Sequence, residues 1–212
     1  MRIKFFYLIL FSLLISCNQI QKKRLPFYNS PDFTPRWLAS TDKEYMFIHT
    51  IAPFSFINQN GKTITNKNVE GRIYVANFFF TNCTSICPKM MNNLKKVQQA
   101  FSNNKDVLIL SHSVLPETDS ISRLAAYANK FGISSRQWWL LTGNKDQIYK
   151  LARKSYFADE EIGYNKNSTE FLHTENCILV DKKERIRGVY NGTLELEMNK
   201  LIEHIKILQL EE

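Results

Sequence analysis

The stretch Ile73-Tyr-Val-Ala-Asn-Phe-Phe-Phe80-Thr-Asn-Cys83-Thr-Ser-Ile-Cys87-Pro88-Lys-Met90 decides how this chain is read. Its first eight residues form an almost unbroken apolar, β-branched and aromatic run, which suits a strand buried on both faces in the middle of a sheet. A short polar loop follows, and then Pro88, whose missing N–H has no partner to lose in a first helical turn. From Pro88 onward Met91, Leu94, Val97 and Phe101 recur at spacings of three and four, so the pattern predicts an amphipathic helix to about residue 101. Two cysteines therefore sit where a buried strand ends and a helix begins.

Working outward, residues 54–65 alternate and carry an Asn60-Gly61 turn, the signal of a β-hairpin. Downstream, residues 107–110 read as the next central strand and residues 138–141 as a short one. Residues 120–131 read as a helix with Ile121, Leu124, Ala125 and Ala128 on one face, and residues 146–155 as another. Residues 157–170 are polar and irregular, a long surface loop of the kind that often carries function. Residues 171–181 and 186–190 form a hairpin around a Lys-Lys-Glu turn. Residues 194–208 close the chain as a helix, with Leu194, Met198, Leu201, Ile202, Ile205 and Leu208 on its buried side. The order gives an α/β fold: a central mixed β-sheet flanked by helices on both faces, with an N-terminal β-hairpin.

With 212 residues the chain fits one domain plus appendages. Arg2 and Lys4 precede an apolar run over residues 5–15, too short for the roughly 20 residues of a membrane span and right for a signal-peptide core. The run ends in Leu14-Ile15-Ser16-Cys17, which resembles a bacterial lipobox; a plain secretory peptide with an incidental cysteine is the alternative. The expected organisation is a lipoprotein signal peptide at residues 1–16, a lipid-anchored tether at 17–44 with lipid on Cys17, and a binding domain at 45–212. The tether holds Pro26, Pro31 and Pro35 and reaches about 90 Å if extended, unless Trp37 packs back onto the domain. That places an exported bacterial lipoprotein on a membrane with its domain in the periplasm. Losing Arg2 and Lys4 with the leader lowers the formal charge from +8 to +6. The positive charge is spread along the chain, with a small cluster at Lys22-Lys23-Arg24, so it suits an anionic surface and implies no nucleic acid.

With Cys17 taken by lipid, Cys83, Cys87 and Cys177 remain. Helix-start N–H groups and the helix dipole favour thiolate over thiol, so both Cys83 and Cys87 are expected to have depressed pKa values. A spacing of four lets two thiolates converge on one ion, and soft thiolates select Cu(I) above other metals. A structural disulfide, or two ordinary core cysteines, is the plain alternative. Two thiolates rarely complete a copper site, which leaves His49, His112, His173 and His204 to weigh. His204 lies inside the last helix, and His49 precedes the first strand. His112 follows the 107–110 strand and so ends at the same edge of the sheet as the Cys83 loop, a second choice that keeps it in the surroundings of the site. His173 stands just after the long loop, at the mouth of the last hairpin, and is the preferred third ligand.

Five stretches resemble the Sco/SenC family of copper chaperones, in that family's order. They are Asn77-Phe-Phe-Phe-Thr-Asn-Cys83-Thr-Ser-Ile-Cys87-Pro88, Ser113-Val-Leu-Pro116-Glu-Thr-Asp119-Ser120, Leu140-Leu-Thr-Gly143, Phe171-Leu-His173-Thr174 and Ile178-Leu-Val-Asp181. The resemblance implies a thioredoxin-like fold and one copper ion, Cu(I) or Cu(II), held by two cysteines and one histidine. Those ligands fall on Cys83, Cys87 and His173. It also implies delivery of copper to the copper-A site of cytochrome c oxidase or to another cuproprotein, or reduction of that site's cysteines. Leu115 stands where the family usually has aspartate, His112 where it seldom has histidine, and Cys177 is unusual, expected as a buried free thiol.

Three rivals remain open. A metal-free thiol–disulfide oxidoreductase would use Cys83 and Cys87 as its redox pair, but such enzymes normally space their cysteines by two and carry a cis-proline before the last hairpin. No proline follows Pro116 here. A peroxidase needs an arginine beside its cysteine, and none flanks the motif in sequence. A copper store would need the same three ligands as a chaperone.

Overall fold

The computed structural model describes residues 24–159 and 169–211; the leader, Cys17 and most of the polar loop expected at 157–170 lie outside them. Two short strands, β1 (Phe27–Tyr28) and β2 (Pro35–Arg36), pair antiparallel, and a 3-10 turn follows at Lys43–Phe47. β3 (Ser55–Asn58) and β4 (Thr63–Thr65) form the expected hairpin, turning through Gly61 at φ +75°, a conformation that glycine adopts without steric cost. After α1 (Asn66–Val69) come β5 (Ile73–Phe79), α2 (Ile86–Ala100), β6 (Val107–Ser113), α3 (Ile121–Phe131), β7 (Trp138–Thr142) and α4 (Lys145–Lys154). The hairpin β8 (Asn176–Val180) and β9 (Ile186–Asn191) leads into α5 (Glu195–Glu211).

Seven strands make one mixed sheet in the order β4-β3-β7-β6-β5-β8-β9. β5, β6 and β7 run parallel, while β8 lies antiparallel against the other side of β5. β5 is an interior strand beside the central β6, and all seven of its residues are buried, as its unbroken apolar run requires. Alternation sends Ile73, Val75 and Phe79 to one face, against Met91, Leu94 and Val97 of α2 and Met198, Leu201 and Ile205 of α5. Tyr74, Ala76 and Phe78 go to the other face, against Ile148, Leu151 and Ala152 of α4. Local chemistry sets the helix ends: Ser120 Oγ accepts from the Arg123 N–H at 3.3 Å, and Gly132 closes α3 in the left-handed region.

Two expectations change. β8 begins at Asn176, not at residue 171, because Thr174 Oγ1 takes the Asn176 N–H at 3.1 Å and turns the chain before pairing starts. The stretch expected as a tether is bound to the domain from Leu25: Leu25 and Phe27 are buried. Arg187 explains this, since its guanidinium donates to the carbonyls of Leu25 and Pro26 and lies 4.2 Å from the Phe27 ring centre. Trp37 does not pack back; it is 67 % exposed.

His112 departs from expectation as well. It ends β6 near the level of the cysteine loop, but it shares a face with Leu108 and Leu110, opposite the core that holds Cys87. It is therefore not part of the surroundings of the cysteines. The rings of Phe54, Phe56, Phe78 and Tyr156 enclose it, and neither ring nitrogen has a hydrogen-bond partner among the described residues. Burial lowers its pKa to about 3, against 6.5 for an ordinary histidine. The native state keeps this ring neutral while the unfolded chain protonates below 6.5, so the unfolded state binds more protons and stability falls as pH drops through that window. The expected slope is about 1.4 kcal/mol per pH unit. Urea unfolding at pH 6.5 and pH 5 should show about 2 kcal/mol more loss in the parent than in His112→Leu. Equal loss in both would refute the assignment.

Candidate metal centre

The site is built where β5 stops. Phe80 leaves the sheet, the Cys83 N–H donates back to the Phe80 carbonyl at 3.3 Å, and α2 starts at Ile86, two residues before the position expected. Ser85 at the helix cap makes no side-chain bond; Cys83 Sγ takes that role and accepts the Cys87 N–H at 3.4 Å. Pro88 then falls third in the helix, where the absent N–H leaves no bond unmade.

The two thiols are not equivalent, which corrects the expectation that both would be acidified. At Cys83, burial opposes the thiolate, but hydrogen bonds from the N–H groups of Cys87, Ser85 and Ile86 and from the Cys87 thiol outweigh it and lower the pKa below the usual 9.0. At Cys87, burial pushes the pKa up to about 12, and the nearby charges of Cys83 and Asp119 push the same way. The cause is position: Cys83 stands before the helix and receives its N–H groups, whereas Cys87 lies inside the first turn, 3 % exposed among the core residues. The Cys87 N–H on Cys83 Sγ sets both cysteines at the first turn of α2.

Asp119 holds the loop. Its buried carboxylate accepts from Thr81 Oγ1 at 2.5 Å, the Thr81 N–H at 3.2 Å and Ser113 Oγ at 2.6 Å, tying the start of the cysteine loop to β6 and to the cap of α3. No local sequence pattern marks this role, because the bonds of Asp119 reach Thr81 across the fold. Leu115 occupies a turn held by its own main chain, whose carbonyl accepts the N–H groups of Thr118 and Asp119, so leucine there leaves the turn intact. Tyr127 titrates in the field of both cysteines, and its buried hydroxyl has no hydrogen-bond partner among the described residues. An arginine does reach the loop in space: Arg123 Nη2 donates to Asn82 Oδ1 at 2.5 Å. It is bonded to that amide, next to Cys83, a neighbour brought from α3 by the fold and not by adjacency in sequence.

The other candidates separate cleanly. His49 Nε2 lies 2.7 Å from the Ser155 carbonyl, and His204 Nδ1 lies 2.7 Å from Tyr190 Oη. Cys177 is buried and free, its pKa raised to about 12 by burial, within the core beside Met90 and Gly192. His173 is exposed, on the segment that enters β8 at the end of the sheet where β5 delivers the cysteine loop. The Phe171 ring stands edge-on to Phe80 at 5.5 Å, so this segment packs against the residue that opens the loop. Among the described residues no group of three or more His, Cys, Asp or Glu side chains is gathered closely enough to hold a metal ion. The fold thus brings Cys83 and Cys87 together and sets His173 at the same end without closing a three-ligand set. Two sulfur donors within one helical turn fit a soft cation. Cys17 lies outside the described residues.

Residues 43–208 match the SCO1/SenC protein family. Among solved structures, the chain is similar to a SCO1/SenC family lipoprotein from Bacillus anthracis (30 % identity, TM-score 0.66, 76 % of this chain and 95 % of that one). It is likewise similar to BsSco, a member of the Sco family of cytochrome c oxidase assembly proteins with an identified disulfide switch (29 % identity, TM-score 0.66, 78 % and 96 %). Arabidopsis thaliana ScoI with copper bound shares the fold at 24 % identity (TM-score 0.57, 75 % and 98 %).

Proposed function

The chain belongs to the SCO1/SenC family, and on that premise we propose that it is a membrane-tethered copper metallochaperone. Cys83, Cys87 and His173 bind one copper ion and pass it to the copper-A site of cytochrome c oxidase or to another cuproprotein. The observation that carries this reading is the pair of cysteines at the N-terminus of α2, tied by the Cys87 N–H on Cys83 Sγ, with Cys83 acidified. Soft sulfur donors at that spacing suit Cu(I), and a neutral imidazole completes a three-coordinate set that stays open on one side for a recipient's ligand. His173 supplies the imidazole by a shift of the segment that the Phe80–Phe171 contact holds beside the loop. That copper-bound and oxidase-assembly proteins lie among the chain's relatives supports the same reading.

Lipid on Cys17 tethers the domain to a membrane on the periplasmic side, as the Leu14-Ile15-Ser16-Cys17 sequence suggests, in keeping with the lipoprotein relative. The domain binds its own N-terminal segment from Leu25, so the stretch expected as a tether at 17–44 is docked to the domain within its own length.

A second reading, reduction of the recipient's cysteines, draws on the unequal thiols. An acidified, half-exposed Cys83 is suited to attack a partner disulfide, and the buried Cys87 to resolve the mixed disulfide, which oxidises this pair as it reduces the partner. The two readings part in an anaerobic titration of the reduced chain with Cu(I) against a competing chelator. Chaperone chemistry requires one tightly held equivalent, with affinity falling from pH 8 to pH 5 as protons compete for the ligands. Binding that ignores pH, or no binding beyond the chelator's, would leave only the redox role.

A further inference from the structure

At the opposite end of the sheet from the cysteines lies a cavity of about 670 Å³ that the copper chemistry does not use. Its cationic lining consists of Arg24, Lys182, Lys183, Arg185 and Arg187, with Glu211 as the lining carboxylate. Arg185 and Arg187 are ion-paired to Asp181, and Arg187 also to Glu211. Asp181 and Glu211 offset Arg185 and Arg187, and among the described residues Arg24, Lys182 and Lys183 have no ion-pair partner, though Lys182 and Lys183 also line a neighbouring cavity with Glu70 and Glu184. Glu184, in the same turn, accepts from Asn66 Nδ2 on the side of α1.

The rim is also apolar. Trp37 lines the cavity and is 67 % exposed, and Met46 and Phe47, 82 % and 84 % exposed, follow directly on the lining residue Tyr45. Basic side chains interleaved with exposed tryptophan and other large apolar residues are the composition that binds the interfacial region of an anionic bilayer. A soluble domain seldom leaves so many large apolar side chains exposed within a dozen residues without a surface to meet them.

We propose that this cavity and its rim form a docking site for an anionic phospholipid bilayer, turning the domain so that Cys83 and Cys87 face away from the membrane. The inference rests on the lipid-anchor reading of Cys17 for its choice of partner. Arg24 follows Cys17 by seven residues, so a lipid there keeps the cavity mouth within about 25 Å of the bilayer at full extension. Such a short tether makes the bilayer the anionic surface at highest effective concentration. The orientation follows from register. Val180, which opens the β8–β9 turn, pairs with Tyr74 at the start of β5, whereas the cysteine loop follows its end. The two sites are thus separated by the length of that seven-residue strand, about 23 Å. A copper site held outward in this way is accessible to a recipient's domain standing above the same membrane.

The test uses the mature chain, residues 17–212, with Cys17→Ser so that no lipid contributes, in co-sedimentation with phosphatidylcholine vesicles with and without phosphatidylglycerol. Binding is expected to the anionic vesicles only, and to disappear at high salt. Lys182→Ala with Lys183→Ala should weaken it about thirtyfold, at roughly fivefold per lysine. Trp37→Ala should weaken it further, and Cys83→Ser should leave it unchanged. Equal binding to neutral vesicles, full binding by the double lysine variant, or saturable binding of inorganic phosphate without vesicle binding would each overturn the proposal. The mass of the full-length protein recovered from membranes reports the lipid on Cys17 separately, so loss of the anchor reading and loss of the docking site are told apart.

Discussion

Cys83→Ser is expected to lower Cu(I) affinity by more than about a hundredfold, the upper range for disturbing groups that merely support a metal ligand. Cys83 is the thiol that the helix start acidifies, so of the two it gives up its proton more readily and offers the ion a thiolate first. Serine keeps the size and the hydrogen bond from the Cys87 N–H but offers a hard hydroxyl that Cu(I) does not prefer. Cys87, buried and reluctant to ionise, then has to bind alone. His173→Ala should weaken binding less, by roughly ten- to a hundredfold, because two thiolates still hold the ion. His112→Leu should leave affinity untouched, since His112 faces the opposite side of the sheet. A competition titration of all three variants reads these effects together. An unchanged Cys83→Ser, or a loss in His112→Leu as large as in His173→Ala, would remove the site from where it has been placed.

Asp181→Ala is expected to lose about 3–5 kcal/mol of stability, the range for removing one partner from a buried ion pair. Asp181 Oδ2 accepts from Arg185 Nε at 2.8 Å, Arg185 Nη2 at 2.7 Å and Arg187 Nη1 at 3.2 Å, while Oδ1 accepts the N–H groups of Lys183 at 2.9 Å and Arg185 at 3.0 Å. All three charged groups are buried. Without the carboxylate, two guanidinium groups are left confined with too little negative charge, and the tight turn between β8 and β9 loses both of its side-chain acceptors. The same network binds the ends of the domain, for Glu211 of α5 accepts from Arg187 Nη2 at 2.6 Å and from the Leu25 N–H at 2.6 Å. Urea unfolding measures the change; a loss under about 1 kcal/mol would show the network to be peripheral.

How far the sequence could be read depended on whether the relevant physics was local. The unbroken run from Ile73 to Phe80 left no room for a surface strand, and it lies buried as an interior strand of the sheet. The Asn60-Gly61 turn and the Ser120 cap were legible because each fixes its own few residues. The split between the two thiols was not legible, since it depends on Cys87 entering the first turn and facing the core, and Pro88 alone did not show that the helix starts at Ile86. Strand order put His112 at the right end of the sheet; the parity of β6, which decides the face, went unused. The binding of Leu25 and Phe27 had no local signal, because its cause is Arg187, far along the chain. Arg123 beside Asn82 was hidden for the same reason.

The central claim is that one copper ion is held by Cys83, Cys87 and His173 together. X-ray absorption at the copper edge of the chain loaded with one equivalent of Cu(I) tests it most directly. Two sulfur neighbours and one imidazole nitrogen are expected, with the nitrogen lost in His173→Ala and one sulfur lost in Cys83→Ser. A sulfur-only shell in the parent, or a nitrogen that persists in His173→Ala, would contradict the assignment.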